Sequence, residues 1–166
     1  MKTPIQVSER IFSGDQPDEA DLRHLAEAGF RSVINLRKAG EPNQPLSPQR
    51  EQTCAEENGL NYASVPVVAA DLRPEIFEQL RAAVEELPAP IYVHCAVGQR
   101  AAALAVLCAN ATSGASGDVL LRDVADKGVT IVDKNLISFV RSMADLLSHD
   151  GHGLTASGQP AQHAVN

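Results

Sequence analysis

The chain has 166 residues, 44% hydrophobic and 21% charged, which is the size and make-up of one globular domain with its own core. A net charge of −7 argues against nucleic acid or an anionic membrane as partner, because the global field repels polyanions. No apolar run reaches the length of a signal peptide or membrane span, and three widely spaced cysteines without a Cys-x-x-Cys pair speak against a disulfide framework or a metal site, so a reducing cytoplasm is the expected location.

In chain order, IQVSERIF (5–12) is expected to form a short strand pair. Pro17 and Asp18 open a helix, DEADLRHLAEAG, with Leu22, Leu25 and Ala26 on one face and Gly29 as its stop. SVINL (32–36) is a short apolar run of the buried-strand type, and RKAGEPNQPL after it is loop. Ser47 followed by Pro48 is a capping hydroxyl with proline at the first helical position, so a helix runs from there to Asn58 and ends at Gly59. NYASVPV (61–67) is the next strand and VAADLRP a loop. Ile76, Leu80, Val84 and Leu87 recur every three or four residues, which marks an amphipathic helix. IYV (91–93) is the central strand and 100–111 a helix. After the turn TSGASG come helices over 118–127 and 134–148, the second carrying Leu136, Val140, Met143 and Leu147 as its apolar stripe. Residues 149–166 lack periodicity and are expected to be a disordered tail, leaving one domain over 1–148. Strands alternating with helices predict an α/β sandwich: a mostly parallel sheet with helices on both faces. Such sheets bind ligands beyond the carboxyl ends of their strands, where Cys95 lies.

The stretch IYVHCAVGQRAAAL (91–104) concentrates the chemistry. A free thiol has a pKa of about 8.5, and a helix N-terminus or a neighbouring cation lowers it to about 3.5–7.5. Both are at hand here. The amides of Ala96, Val97, Gly98, Gln99 and Arg100 can form an anion nest at the positive end of the following helix. Arg100 adds a permanent charge with a planar fork that suits two oxygens of a tetrahedral anion. Gly98 permits a left-handed or closely approaching backbone. A lone cysteine after a strand is more often a small core residue, and it is the combination that points to a nucleophile at the floor of an anion cradle. Cys54, in a polar helix, and Cys108, in the apolar run ALAVLCAN, lack that setting and are read as structural.

The loop HCAVGQR resembles the signature of cysteine-dependent phosphatases of the dual-specificity branch. Upstream, SGDQPDEADLRHLAEAGFRSVINLR is similar to the phosphatase pattern of a Ser-Gly-x-x-Pro turn, a helix and a strand ending in Asn-Leu-Arg; Glu41 and NGLNYASVPV also fit. Over residues 5–147 the chain resembles the bacterial beta-lactamase hydrolase-like phosphatase-like (DUF442) group. That resemblance implies Cys95 as the nucleophile of a thiophosphoryl intermediate and Arg100 with the loop amides as holders of the phosphoryl oxygens. It further implies Asp71 as the general acid and His94 as a loop-orienting hydrogen bonder. Neither a cofactor nor a metal is implied, and the partner is a phosphorylated protein or small molecule. Asp71 could equally cap the helix after it. The loop 38–48 is expected to wall the mouth of the site, with Arg37 or Arg73 lending charge.

Two features depart from the phosphatase pattern. Four residues separate Cys95 from Arg100, one fewer than usual, and this shorter form also resembles the loop of rhodanese-type sulfurtransferases, where the cysteine carries a persulfide. Ala101 stands where a hydroxyl residue usually helps the intermediate break down. A phosphatase, a sulfurtransferase and a non-catalytic phosphate-binding module all fit the residues.

Overall fold

A computed structural model of the chain describes residues 1–150. Its sheet has the order β1-β2-β5-β3-β4, from strands Ile5–Gln6 (β1), Ile11–Gly14 (β2), Ser32–Asn35 (β3), Asn61–Ser64 (β4) and Ile91–His94 (β5). Only β1 runs antiparallel; β2, β5, β3 and β4 are parallel. The expected α/β class and mostly parallel sheet are what the chain adopts. β5 lies between β2 and β3 in matched register, so Gly14, His94 and Asn35 end their strands side by side.

The helices are Glu19–Glu27 (α1), Pro48–Glu57 (α2), Pro74–Glu86 (α3), Gln99–Ala109 (α4), Gly117–Asp126 (α5) and Lys134–Asp150 (α6). Asp18 caps α1 reciprocally: its carboxylate accepts from the Asp21 N–H at 2.8 Å, and the Asp21 carboxylate accepts from the Asp18 N–H at 3.1 Å. Ser47 caps α2 ahead of Pro48, as the sequence pattern requires. One face of the sheet packs Val33 and Tyr92 against Leu22 and Leu25 of α1 and Cys54 and Ala55 of α2. The other face packs Ile34 and Val93 against α3 and α4, with α5 and α6 closing over α4.

Residues 101–107 of α4 are all buried, so this helix has no solvent stripe and is enclosed by the sheet and its neighbours. Several boundaries differ from expectation by a residue or two. β4 stops at Ser64 because Pro66 has no N–H, although Val65 and Val67 still donate to the Asn35 and Leu36 carbonyls. α6 continues through Asp150, so positions 149 and 150 are helical; the remainder of the expected tail, 151–166, lies outside the described residues. No helix among the described residues is long and apolar enough to cross a membrane.

Candidate active site

The loop 95–98 leaves the carboxyl end of β5 and turns directly into α4. Its conformation depends on Gly98, which caps α4 at φ +92, a left-handed value that side chains with a Cβ rarely adopt. Cys95 is 1% exposed, and its Sγ accepts a hydrogen bond from the Gly98 N–H at 3.2 Å. The β2 end pins the loop from the side: the Cys95 N–H donates to the Gly14 carbonyl and the Gln16 N–H to the Ala96 carbonyl, each at 3.4 Å. Val97 stands at the loop's outer surface, 67% exposed. Gln99 turns away, its Oε1 accepting from the Val132 N–H at 3.1 Å and tying the loop to the segment before α6.

Arg100 opens α4 and turns its guanidinium toward the loop that follows β3. Its Nη1 and Nη2 donate to the two oxygens of Glu41 at 2.9 and 2.6 Å, and Nη1 also donates to the Val67 carbonyl at 2.5 Å. Of the five N–H groups of an arginine, these bonds use three. The Nε and second Nη2 hydrogens make no bond to an oxygen acceptor among the described residues, and the Cys95 sulfur also interacts with this guanidinium. Burial pushes the Glu41 carboxyl up, and hydrogen bonds from Arg100, the Lys38 N–H and Arg37 outweigh it, bringing the group down to about 2. Glu41 in turn, and the Cys95 sulfur, hold the Arg100 charge more firmly than usual despite burial. In front of Arg100 opens a cleft of about 540 Å³ lined by Lys38, Gly40, Pro42, Val68 and Ala69; Cys95 is not among its lining residues.

Arg37 has a different place from the one expected. It is 1% exposed and donates to Glu41 Oε2 at 3.1 Å, Gln16 Oε1 at 3.0 Å and the carbonyls of Pro42 and Asn43 at 2.6 and 3.2 Å. It therefore shapes the loop after β3 from within, and no part of its charge faces the mouth. Asp71 ends a short 3-10 turn, Ala69–Asp71, and forms an ion pair with Arg73 at 3.2 Å, the two side chains 63% and 60% exposed. It does not cap α3, whose N-cap position is Arg73 with no side-chain cap and Pro74 next. The structure thus brings Cys95, Gly98 and Arg100 together and leaves Asp71 at the solvent side of the adjoining loop.

Behind the loop lies a buried polar group that sequence reasoning missed. His94 has its Nε2 against Glu51 Oε1 at 2.5 Å, both side chains fully buried. Glu51 Oε2 accepts from Asn35 Nδ2 at 2.9 Å and Gln16 Nε2 at 3.0 Å, and Asn35 Nδ2 also donates to the Tyr62 hydroxyl at 3.0 Å. A carboxylate on the same stripe of α2 as the buried Pro48, Cys54 and Ala55 is the signal that could have found it. Burial pushes the Cys54 thiol up, and that of Cys108 up to about 12; neither lies at the helix-start amide that meets the Cys95 sulfur. Among the described residues no group of His, Cys, Asp and Glu could hold a metal ion.

Residues 6–112 match the sequence family described as "Beta-lactamase hydrolase-like protein, phosphatase-like domain". A beta-lactamase hydrolase-like protein of Agrobacterium fabrum (strain C58) is 32% identical over 127 residues, 76% of this chain and 28% of that protein. The chain spans about a quarter of the length of the curated relatives it matches. Among solved structures, a DUF442 protein of Shewanella putrefaciens CN-32 has a TM-score of 0.71 at 20% identity, covering 90% of this chain and 93% of that one. Tk-PTP in its active form has a TM-score of 0.67 at 19% identity, covering 89% and 97%. At these identities the likeness carries the fold, which is the one these proteins share.

Proposed function

Because the chain belongs to the family of phosphatase-like domains of beta-lactamase hydrolase-like proteins, we propose that it hydrolyses phosphate monoesters by the tyrosine/dual-specificity route, through a thiophosphoryl intermediate on Cys95. The observation that carries this reading is the pairing of a buried sulfur that accepts the Gly98 N–H with an arginine close enough for that sulfur to help hold its charge. The phosphoryl group of a phosphorylated protein or small molecule sits on the loop, its oxygens meeting the first-turn amides of α4, which have no intrahelical partner, and Arg100. Cys95 Sγ attacks phosphorus, the S–P bond forms, and the ester P–O bond breaks. Asp71 gives its proton to the departing oxygen. Water then attacks phosphorus, the S–P bond breaks, Asp71 takes the proton, and inorganic phosphate leaves.

Asp71 reaches the leaving group by giving up Arg73. An exposed pair of this kind is worth about 0–1 kcal/mol, so the exchange is cheap. Ala101 presents a buried methyl where a hydroxyl would assist breakdown of the intermediate, which makes the second step the slower one. Assay of the purified chain on an aryl phosphate tests the reading. Cys95→Ser is expected to abolish phosphate release, and Asp71→Asn to lower kcat by about a hundredfold or more, the usual share of a general acid. Phosphate release that survives Cys95→Ser sinks the mechanism.

The four-residue spacing from Cys95 to Arg100 favours a second reading, a sulfurtransferase whose shorter loop surrounds a single sulfur. Thiosulfate with cyanide separates the two. Thiocyanate formation that needs Cys95 and is indifferent to Asp71→Asn selects the sulfurtransferase.

A further inference from the structure

Two polar arms start at opposite ends of the anion loop and meet at one side chain. From the Cys95 end, His94 Nε2 meets Glu51 Oε1, and Glu51 Oε2 accepts from Gln16 Nε2 at 3.0 Å. From the Arg100 end, Glu41 receives both Nη groups and also accepts from Arg37 Nε at 3.1 Å, and Arg37 Nη1 donates to Gln16 Oε1 at 3.0 Å. The path His94–Glu51–Gln16–Arg37–Glu41–Arg100 therefore spans the loop from the residue before the sulfur to the guanidinium. Gln16 also holds the loop's interior, through its N–H on the Ala96 carbonyl.

The residue type at the junction follows from what it must satisfy. One neighbour, Glu51, offers only acceptors; the other, Arg37, offers only donors. A side-chain amide supplies a donor to the first and an acceptor to the second while remaining neutral. A carboxylate there would face Glu51, and a cation would face Arg37. His94, Glu51 and Arg37 are buried and Gln16 half-buried, so the bonds at the junction are only partly screened by water.

We propose that Gln16 is a positioning residue for the anion loop: by joining the two arms it sets the placement of Arg100 relative to Cys95, and so the affinity for a tetrahedral anion. This rests on the reading of loop 95–100 as an oxyanion site and is independent of whether an ester is cleaved there. The test follows alkylation of Cys95 by iodoacetamide, located by mass spectrometry, and its protection by inorganic phosphate. In Gln16→Leu, with unchanged circular dichroism, the phosphate concentration giving half-protection is expected to rise about tenfold, as loss of a half-buried bond to a charged group implies. Should that variant not fold, Gln16→Glu serves, and is expected to raise the concentration at least as far. Gln16→Met, which fills the same space with neither hydrogen bond, is expected to show the same rise as Gln16→Leu, which a merely space-filling role would not produce.

Half-protection in a folded Gln16 variant, Gln16→Met included, that equals the unsubstituted chain overturns the proposal. Absence of phosphate protection in the unsubstituted chain also overturns it. Absence of aryl phosphate hydrolysis, with protection intact and sensitive to Gln16, removes the phosphatase reading and leaves the positioning role standing.

Discussion

A Cβ at Gly14 would lie 2.2 Å from the Tyr92 hydroxyl oxygen, and that hydroxyl already donates to the Asp15 carbonyl at 2.7 Å. Gly14→Ala therefore forces Tyr92 or the end of β2 to move; urea denaturation is expected to show a loss of about 1–3 kcal/mol, as overpacking does. Because the Gly14 carbonyl accepts from the Cys95 N–H, the same change disturbs the loop. Thiol chemistry is also decided residue by residue. Because the Cys95 sulfur alone of the three sits on a helix-start amide, with Cys54 and Cys108 pushed up by burial, alkylation at pH 7 is expected on Cys95, and peptide mapping that finds label chiefly on Cys108 would contradict the assignment. The loop was legible at this scale because Cys95, Gly98 and Arg100 fall within six consecutive positions of chain. Arg37 was not: its partners Gln16, Glu41, Pro42 and Asn43 converge only after the loop after β3 has folded back over it. Glu51 was hidden for the same reason, since its partner His94 is 43 positions away.

Among the elements, α4 bears the heaviest packing demand. Leu104 is fully buried within the helix that carries Arg100, so Leu104→Ala is expected to cost about 2–5 kcal/mol by the loss of transfer energy and the cavity left behind, read by urea denaturation. A cost under about 1 kcal/mol would mean that α4 is not clamped between the sheet and α6 as described. The elements were largely readable in advance, because helix stripes, the Asp18 and Ser47 caps and short β-branched runs are all local signals. Strand order was not local. Nothing between residues 5 and 94 states that β5 inserts between β2 and β3, and that insertion is what sets His94 beside Asn35 and Gly14.

For the molecule as a whole, acid stability can be followed through one carboxyl. Glu41 titrates near 2 in the folded chain against an ordinary value of 4.5, so the unfolded chain takes up this proton first as pH falls. The stability it contributes is complete above about pH 4.5 and is lost on descending toward about pH 2. Thermal unfolding of Glu41→Gln is expected to show a shallower fall of Tm over that window than the unsubstituted chain, and identical slopes would remove the Arg100–Glu41–Arg37 bonds as the cause. The sheet order has a consequence for how the molecule comes into being. Its middle strand is the last of the five along the chain, so β2 and β3 have no shared partner until residues 91–94 exist. Until β5 is made, a growing chain holds the parallel sheet split, waiting on long-range pairing of the slow kind. The segment that closes the sheet is also the one that delivers the sulfur, so on the ribosome reactivity and foldedness arrive together.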